Sequence, residues 1–392
     1  MANVRRPPTI ELLSTADNIG GMERVICGLA REFTARGCTV RTVFPDTPKR
    51  AALLNWCAEQ GVTAETSPAL LDAAAPHTWN SVKRLAQFLR ERSPDIVSLH
   101  YGDNFISLKD LLAVRLSGRR RCVVTVYHPT SWKEAGSKKR LLTRAAAMFA
   151  DEITTISDAT YDILREAGIP KRKLHNIPCG LRLPQQLLDR GEARARLGLP
   201  ADATIIGSLA RLVPHKGIDE LIKATARLAG SRNKLFLAIA GDGPERPALQ
   251  QLSASLLGDK ARLLGRVPDV DEFFAACDFF VLPSHLEGFG LVYAEAAFHG
   301  VPSIGTNVGG VPDAVVHDRT GLLVPVNDLD ALTNGVQRLF DDTGLRQRLG
   351  IAARARAHAE FTEHVMADRF EPVFGLSHLE GGRRLGAGRP AA

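Results

Sequence analysis

Glu287 and Glu295 stand eight positions apart in HLEGFGLVYAEAAFHG, residues 285–300. Two carboxylates so placed suggest either an acid/base couple for glycosidic bonds or a pair of acceptors for sugar hydroxyls, since one ionised carboxylate can accept hydrogen bonds from two vicinal OH groups. Gly288 and Gly290 crowd the first glutamate, where a backbone must approach a ligand or turn tightly. A helix over roughly Leu291 to His299 would aim its amino end, with its free N–H groups, at the same place. Glu287 then lies in the loop and Glu295 in the helix, where a lone glutamate is otherwise an ordinary surface residue.

Other residues offer complementary chemistry. SLARLVPHKGIDEL presents Arg211 and Lys216 at a strand-to-helix turn, and two cations at the carboxyl end of a strand suit a diphosphate. In ADNIGGMERVICGLA, Gly20 and Gly21 open a helix whose amides and dipole favour an anion. His100 and His128 each follow an apolar strand run. Taken singly each signal is weak, because a glycine pair is often a turn and a cation pair often a solvated loop. The sequence contains no GxxxxGK[ST] loop, GxSxG elbow, HExxH or complete GxGxxG, and GDGPER (241–246) is only a fragment of the last. Asp269 and Asp271 form a DxD, but a helix start with Asp269 as N-cap explains them better than a metal site.

The elements that must hold these residues are legible as alternating runs. TIELLS (9–14), TVRTVF (39–44), DIVSLH (95–100), CVVTVYH (122–128), EITTIS (152–157) and KLHNIP (173–178) read as buried parallel strands separated by helical segments. Met22, Val25, Ile26, Leu29, Ala30 and Phe33 mark one helical face before a stop at Gly37. Three prolines and a run of charge in PCGLRLPQQLLDRGEARARLGLPAD (178–202) break the pattern, which places a linker near 180–195. The alternation restarts with ATIIGSLA (203–210), KLFLAIAGD (234–242), ARLLGR (261–266), DFFVLPS (278–284), VPSIGT (301–306) and GLLVPV (321–326). Two doubly wound α/β domains follow, with a ligand site between the carboxyl ends of their strands. The Gly- and Arg-rich end, 377–392, lacks apolar periodicity and reads as disordered.

Length and composition agree. A chain of 392 residues exceeds one core, so two domains are expected. Apolar residues at 45% and charged residues at 24% are those of a soluble globular protein, and no run approaches the roughly 18 apolar residues of a membrane span. The start reads as a strand without an export signal, which predicts a cytoplasmic protein. The six cysteines are scattered in apolar context without CxxC or zinc spacing and read as buried free thiols. Residues 1–190 hold 28 Lys and Arg against 19 Asp and Glu, whereas the rest hold 22 against 24, so the basic half suits an anionic partner.

Taken together, GGMERV (20–25), a strand ending in His128, GSLARLVPHKG (207–217), GDGPER, LPSHLEGFGLVYAEA (282–296), GTNVGGVPDAV (305–315) and TGLLVP (320–325) resemble the retaining GT-B glycosyltransferases of family 4. The resemblance runs to about residue 365 and is most specific over 282–325. It implies a GT-B fold, two Rossmann-like parallel-sheet domains facing across a cleft: residues 1–185 on the acceptor side, 186–365 for the nucleotide sugar, and a C-terminal segment 366–392, partly disordered. It implies that Arg211 and Lys216 hold the donor diphosphate, that Glu287 binds donor-sugar hydroxyls and Glu295 the ribose, and that amides of Phe289, Gly290 and Leu291 add contacts. Gly20 and Gly21 would close over the phosphates, His128 would lie near the anomeric carbon, and His100 would shape the acceptor side.

The resemblance also implies a UDP- or GDP-sugar donor, a glycan, lipid-linked or small-alcohol acceptor, and catalysis without metal or other cofactor, with the cations and a helix amino end offsetting the leaving charge. No protein nucleophile can be named. Cys179-Gly180-Leu181-Arg182 departs from the usual N-G-V-D, and Ala210 replaces a usual glycine. Rival readings are a nucleotide-sugar epimerase, a glycosidase using the glutamate pair, or a non-catalytic nucleotide-sugar-binding protein; nucleic acid is not an expected partner.

One stretch has no place in that site. Lys133, Lys138, Lys139, Arg140 and Arg144 alternate with Trp132, Leu141, Leu142 and Met148. Such a helix either packs its apolar face inward or rests on an anionic membrane surface, as a peripheral protein would.

Overall fold

In the computed structural model, residues 6–15, 19–70, 78–102, 106–118, 120–127, 137–184, 188–230 and 232–376 are described, with side chains from residue 140 in the sixth stretch. The expectations for His128, Trp132, Lys133 and the tail 377–392 therefore fall outside the described residues, as do those for the side chains of Lys138 and Lys139.

The first sheet comprises β1 (Thr9–Ser14), β2 (Thr39–Pro45), β3 (Ala64–Ser67), β4 (Ile96–Tyr101), β5 (Arg121–Val126), β6 (Glu152–Thr155) and β7 (Leu174–Asn176). Its order is β3-β2-β1-β4-β5-β6-β7, parallel throughout, with Leu13 opposite Val43 on one side and Leu99 on the other. The second sheet comprises β8 (Thr204–Leu209), β9 (Leu235–Ala240), β10 (Ala261–Gly265), β11 (Phe279–Leu282), β12 (Ser303–Thr306) and β13 (Gly321–Val324), in the order β10-β9-β8-β11-β12-β13. Both are doubly wound α/β sheets: β1, β4, β9 and β11 are buried along their whole length, which is why they read as continuous apolar runs without alternation.

The helix Gly21–Ala35 buries the expected stripe, Met22, Val25, Ile26, Leu29, Ala30 and Phe33. It stops where Gly37 turns left-handed at φ +85°. Asp269 caps the helix Val270–Ala276, accepting from the amides of Asp271 and Glu272, so the DxD serves as a helix start. All six cysteines are buried free thiols.

Past the second sheet the chain returns. Leu181 in the linker bridges to Thr362, and the helix Glu363–Phe374 packs on the first domain, where Phe374 stacks 5.0 Å from Phe33 and Arg36 pairs with Asp368 and Glu371. Residues 366–374, expected in a segment of their own, are thus part of the packing that ties the two domains together. No helix among the described residues is long and apolar enough to cross a membrane.

Candidate functional site

Each sheet reverses its strand order at one point, β1/β4 in the first and β8/β11 in the second. Open α/β sheets leave a crevice at the carboxyl end of such a switch point, and here the two crevices face each other. The loop after β1 ends at Gly20, with Gly21 opening the helix that follows, the loop after β8 carries Arg211 and Lys216, and the loop after β11 carries Glu287. They meet in one interdomain cleft of about 590 Å³, lined also by backbone or side-chain atoms of Phe289, Gly290, Leu291 and Glu295.

Local geometry explains each placement. Beyond Arg211 the chain makes a short 3-10 turn, Pro214–Lys216, and enters the helix Ile218–Ala229 through Gly217 at φ +64°. A Cβ there would lie 2.3 Å from the Pro283 carbonyl oxygen, so only glycine lets this turn sit against the loop after β11. That contact brings the Lys216 ammonium to the Glu287 carboxylate, Nζ to Oε1 2.5 Å, where the Ser284 hydroxyl also donates at 3.1 Å. Beneath the loop, the buried Tyr293 hydroxyl donates to the Leu282 carbonyl at 2.6 Å, and the Gly310 amide donates to the Glu287 carbonyl at 3.2 Å. The TNVGG segment is thus the support of the Glu287 loop.

Two helix amino ends point into the cleft. The helix Leu291–Phe298 begins at Gly290 and the helix Gly21–Ala35 at Gly20, neither capped by a side chain. The Leu291 side chain lies 3.0 Å from where a Cβ on Gly21 would stand, so the two ends nearly touch. Both direct first-turn amides and the positive ends of helix dipoles to one place, an arrangement for an anion. Glu295, in the helix, forms an ion pair with Arg24 of the opposite domain.

At the base of the cleft the domains meet through backbone groups. A Cβ on Gly288 would stand 2.4 Å from the Tyr127 carbonyl oxygen, and the Asp158 amide donates to both Asp313 carboxylate oxygens at 3.2 Å.

His100 requires a correction. It is fully buried in β4 rather than on the acceptor side, with one ring nitrogen 2.9 Å from the Tyr127 hydroxyl and the other 3.0 Å from the Ser98 hydroxyl. Burial lowers its pKa to about 3, so the ring is neutral at physiological pH. Both faces of β4 are covered, and the side chain points into the layer beneath the cleft. Tyr127, one residue before His128, lines the cleft in its stead. Burial also raises the Tyr127 hydroxyl well above its ordinary pKa.

Tyr127 and Arg24 are among the lining residues that the sequence reading left without a role. CVVTVYH and GGMERV contain them, but only the fold shows that the Tyr127 carbonyl faces Gly288 and that the Arg24 side chain reaches Glu295 of the second domain.

Residues 19–183 match the model of the Glycosyltransferase Family 4 domain. Residues 189–356 match that of Glycosyl transferases group 1. A GDP-mannose-dependent alpha-(1-6)-phosphatidylinositol monomannoside mannosyltransferase of Mycolicibacterium smegmatis is 30% identical over 311 residues, 76% of this chain and 80% of the relative. An N-acetyl-alpha-D-glucosaminyl L-malate synthase of Bacillus anthracis is 26% identical over 303 residues, 76% of this chain and 79% of the relative. Among solved structures, Anabaena HepE in complex with UDP superimposes with a TM-score of 0.80 at 22% identity, over 94% of this chain and 99% of that one, a likeness of fold.

Proposed function

The chain belongs to the family 4 glycosyltransferases of glycosyl transferases group 1, and from that membership we propose that it moves a sugar from a UDP- or GDP-sugar to a hydroxyl of a glycan, lipid-linked or small-alcohol acceptor, with retention at the anomeric carbon. The observation that carries the reading is the meeting of two helix amino ends, two cations and two carboxylates in one interdomain cleft.

Arg211 and Lys216 take the donor diphosphate. Charge grows on the leaving phosphate as the glycosidic bond breaks, and preorganised cations and amides at that point lower the barrier most. Lys216 pairs with Glu287, which places its ammonium between the donor's sugar and phosphate sites. Glu287, held by Ser284 as well, accepts from the sugar hydroxyls, and Glu295 accepts from the ribose. Amides of Phe289, Gly290 and Leu291 add phosphate or sugar contacts from the second domain. Gly20 and Gly21 close the cleft from the first, and His128 is assigned to the anomeric carbon.

Both cleft glutamates are engaged by cations, Lys216 and Arg24, which favours their acting as grips on the donor over an acid/base pair. In the transfer step the bond from the anomeric carbon to the leaving phosphate oxygen breaks while a bond to the acceptor oxygen forms on the same face. The acceptor proton passes to the departing phosphate, so no protein nucleophile and no metal is needed. The relatives' phosphatidylinositol monomannoside and malate acceptors differ widely in size, and the acceptor here stays at the level of a hydroxyl-bearing glycan, lipid or small alcohol.

The test is substitution of the two cations. Arg211→Ala and Lys216→Ala each abolish transfer and weaken UDP or GDP binding; near-normal activity in both variants overturns the reading.

A further inference from the structure

The helix Ser137–Phe149 follows β5 and carries Lys138, Lys139, Arg140 and Arg144 without an acidic residue. Its inward stripe is Thr143, Ala146, Ala147 and, just past its end, Ala150, each at most 3% exposed. These positions follow the i, i+3, i+4, i+7 spacing of one helix face. The opposite stripe repeats the same spacing with Leu141, Arg144, Ala145 and Met148. Here Leu141 is 67% and Met148 71% exposed, with Leu142 beside them at 44%. The helix buries small residues and packs Phe149 partly against the first-domain core, yet its leucines and methionine stand in solvent, with exposed arginines along one flank.

We propose that this face docks on an anionic lipid bilayer, with Leu141, Leu142 and Met148 entering the headgroup boundary and Arg140 and Arg144 pairing with lipid phosphates. Apolar side chains flanked by cations on one helix face are the chemistry of interfacial binding. Arg and Lys stems also allow the charge to stay at headgroup level while the apolar part goes deeper. A second copy of the chain fits poorly: three apolar side chains fall far short of the roughly 800 Å² per partner of a stable interface, and a two-fold contact would set Arg140 and Arg144 against their own images.

The fold gives docking a consequence. The helix lies between β5 and β6 in the chain, and β5 leads directly into Tyr127 in the cleft. Seating the helix on a bilayer holds the first domain, and with it the strand that ends before Tyr127, at the membrane. The bearing of this on the cleft rests on the transfer reading, whereas lipid binding itself does not and is measured without turnover.

The experiment is co-sedimentation of the full chain with phosphatidylcholine vesicles and with vesicles that also contain phosphatidylglycerol. It is run at about 0.1 M and about 1 M salt, where the Debye length falls from about 10 Å to about 3 Å. The wild type sediments with the anionic vesicles at low salt, leaves them at high salt and ignores the neutral ones. Replacing Arg140 and Arg144 together by Gln weakens binding about 25-fold, about fivefold per charge, and L141S with M148S weakens it by about tenfold or more. Circular dichroism melting reports both variants folded as the wild type. The proposal is overturned if the wild type stays in the supernatant, or if either folded variant sediments as the wild type does. It is likewise overturned if sedimentation equilibrium shows a dimer that L141S breaks while lipid is not bound.

Discussion

Arg24 of the first domain and Glu295 of the second, 271 residues apart in sequence, form an ion pair that closes one side of the cleft. The Glu295 side chain is 16% exposed and that of Arg24 40%, so the pair is half in water and its worth is modest, about 1 kcal/mol or less. Its importance is positional: the carboxylate assigned to the ribose is held by a side chain of the opposite domain.

Removing the arginine should therefore release the glutamate for the nucleotide. Arg24→Ala is expected to tighten UDP or GDP binding about two- to fivefold, the size of a partly exposed ion pair. The gain disappears when Glu295 is also changed to Ala. Titration calorimetry of the two single variants and the double variant reads this directly, and weaker binding in R24A alone would show that Arg24 itself grips the nucleotide.

The seam beneath the cleft can be loosened by one methyl group. A Cβ at Gly288 would meet the Tyr127 carbonyl oxygen at 2.4 Å, a backbone atom that cannot swing aside. Gly288→Ala should push the domains apart, and a misplacement of about 1 Å between reacting groups costs on the order of 100-fold in rate. Transfer falls about that much, while nucleotide affinity, carried mainly by the second domain, changes by only about two- to threefold. An unaltered kcat would mean that the two domains do not meet here during turnover.

His100 makes a pH prediction with a definite sign. Its folded pKa lies at about 3 against 6.5 when unperturbed, so the unfolded chain takes up a proton that the native state refuses. Its contribution is unpenalised above pH 6.5 and is lost as pH falls from there toward 3. Thermal melts of the wild type and of His100→Gln across this window should show the wild type losing more stability on acidification. At neutral pH the variant is less stable by about 1–3 kcal/mol, because the Ser98 and Tyr127 hydroxyls lose a well-placed partner. Parallel pH profiles of the two proteins would contradict the assignment of a neutral buried ring.

The strands that position the site were readable because buried parallel strands leave long apolar runs, and all of the twelve read from sequence occur. β3 was missed because AETS is four residues with only its last buried, too short and too polar to stand out. His100 was misplaced for a related reason. A strand covered on both faces has no polar alternation to reveal which residue turns toward the cleft, and in the HY that ends β4 the type of residue suggested the histidine. Met366, Phe370 and Phe374 carry a visible helical period, yet no local signal says that Phe374 will settle against Phe33 of the first domain. The Glu287 loop was legible from its glycines, while its support by Gly310, the Arg24–Glu295 pair and the Gly288–Tyr127 contact are long-range facts that only the assembled domains express.

The central claim is that the cleft grips a nucleoside diphosphate through Arg211 and Lys216. Its most direct test is calorimetric titration of UDP and of GDP into the wild type and into the R211A/K216A double variant. The account predicts that one of the two nucleotides binds the wild type at one site per chain. Affinity then falls at least about 100-fold in the double variant, since each charge-assisted contact is worth about 1.5–3 kcal/mol. A wild type that binds neither nucleotide, or a double variant that binds as tightly as the wild type, would contradict it.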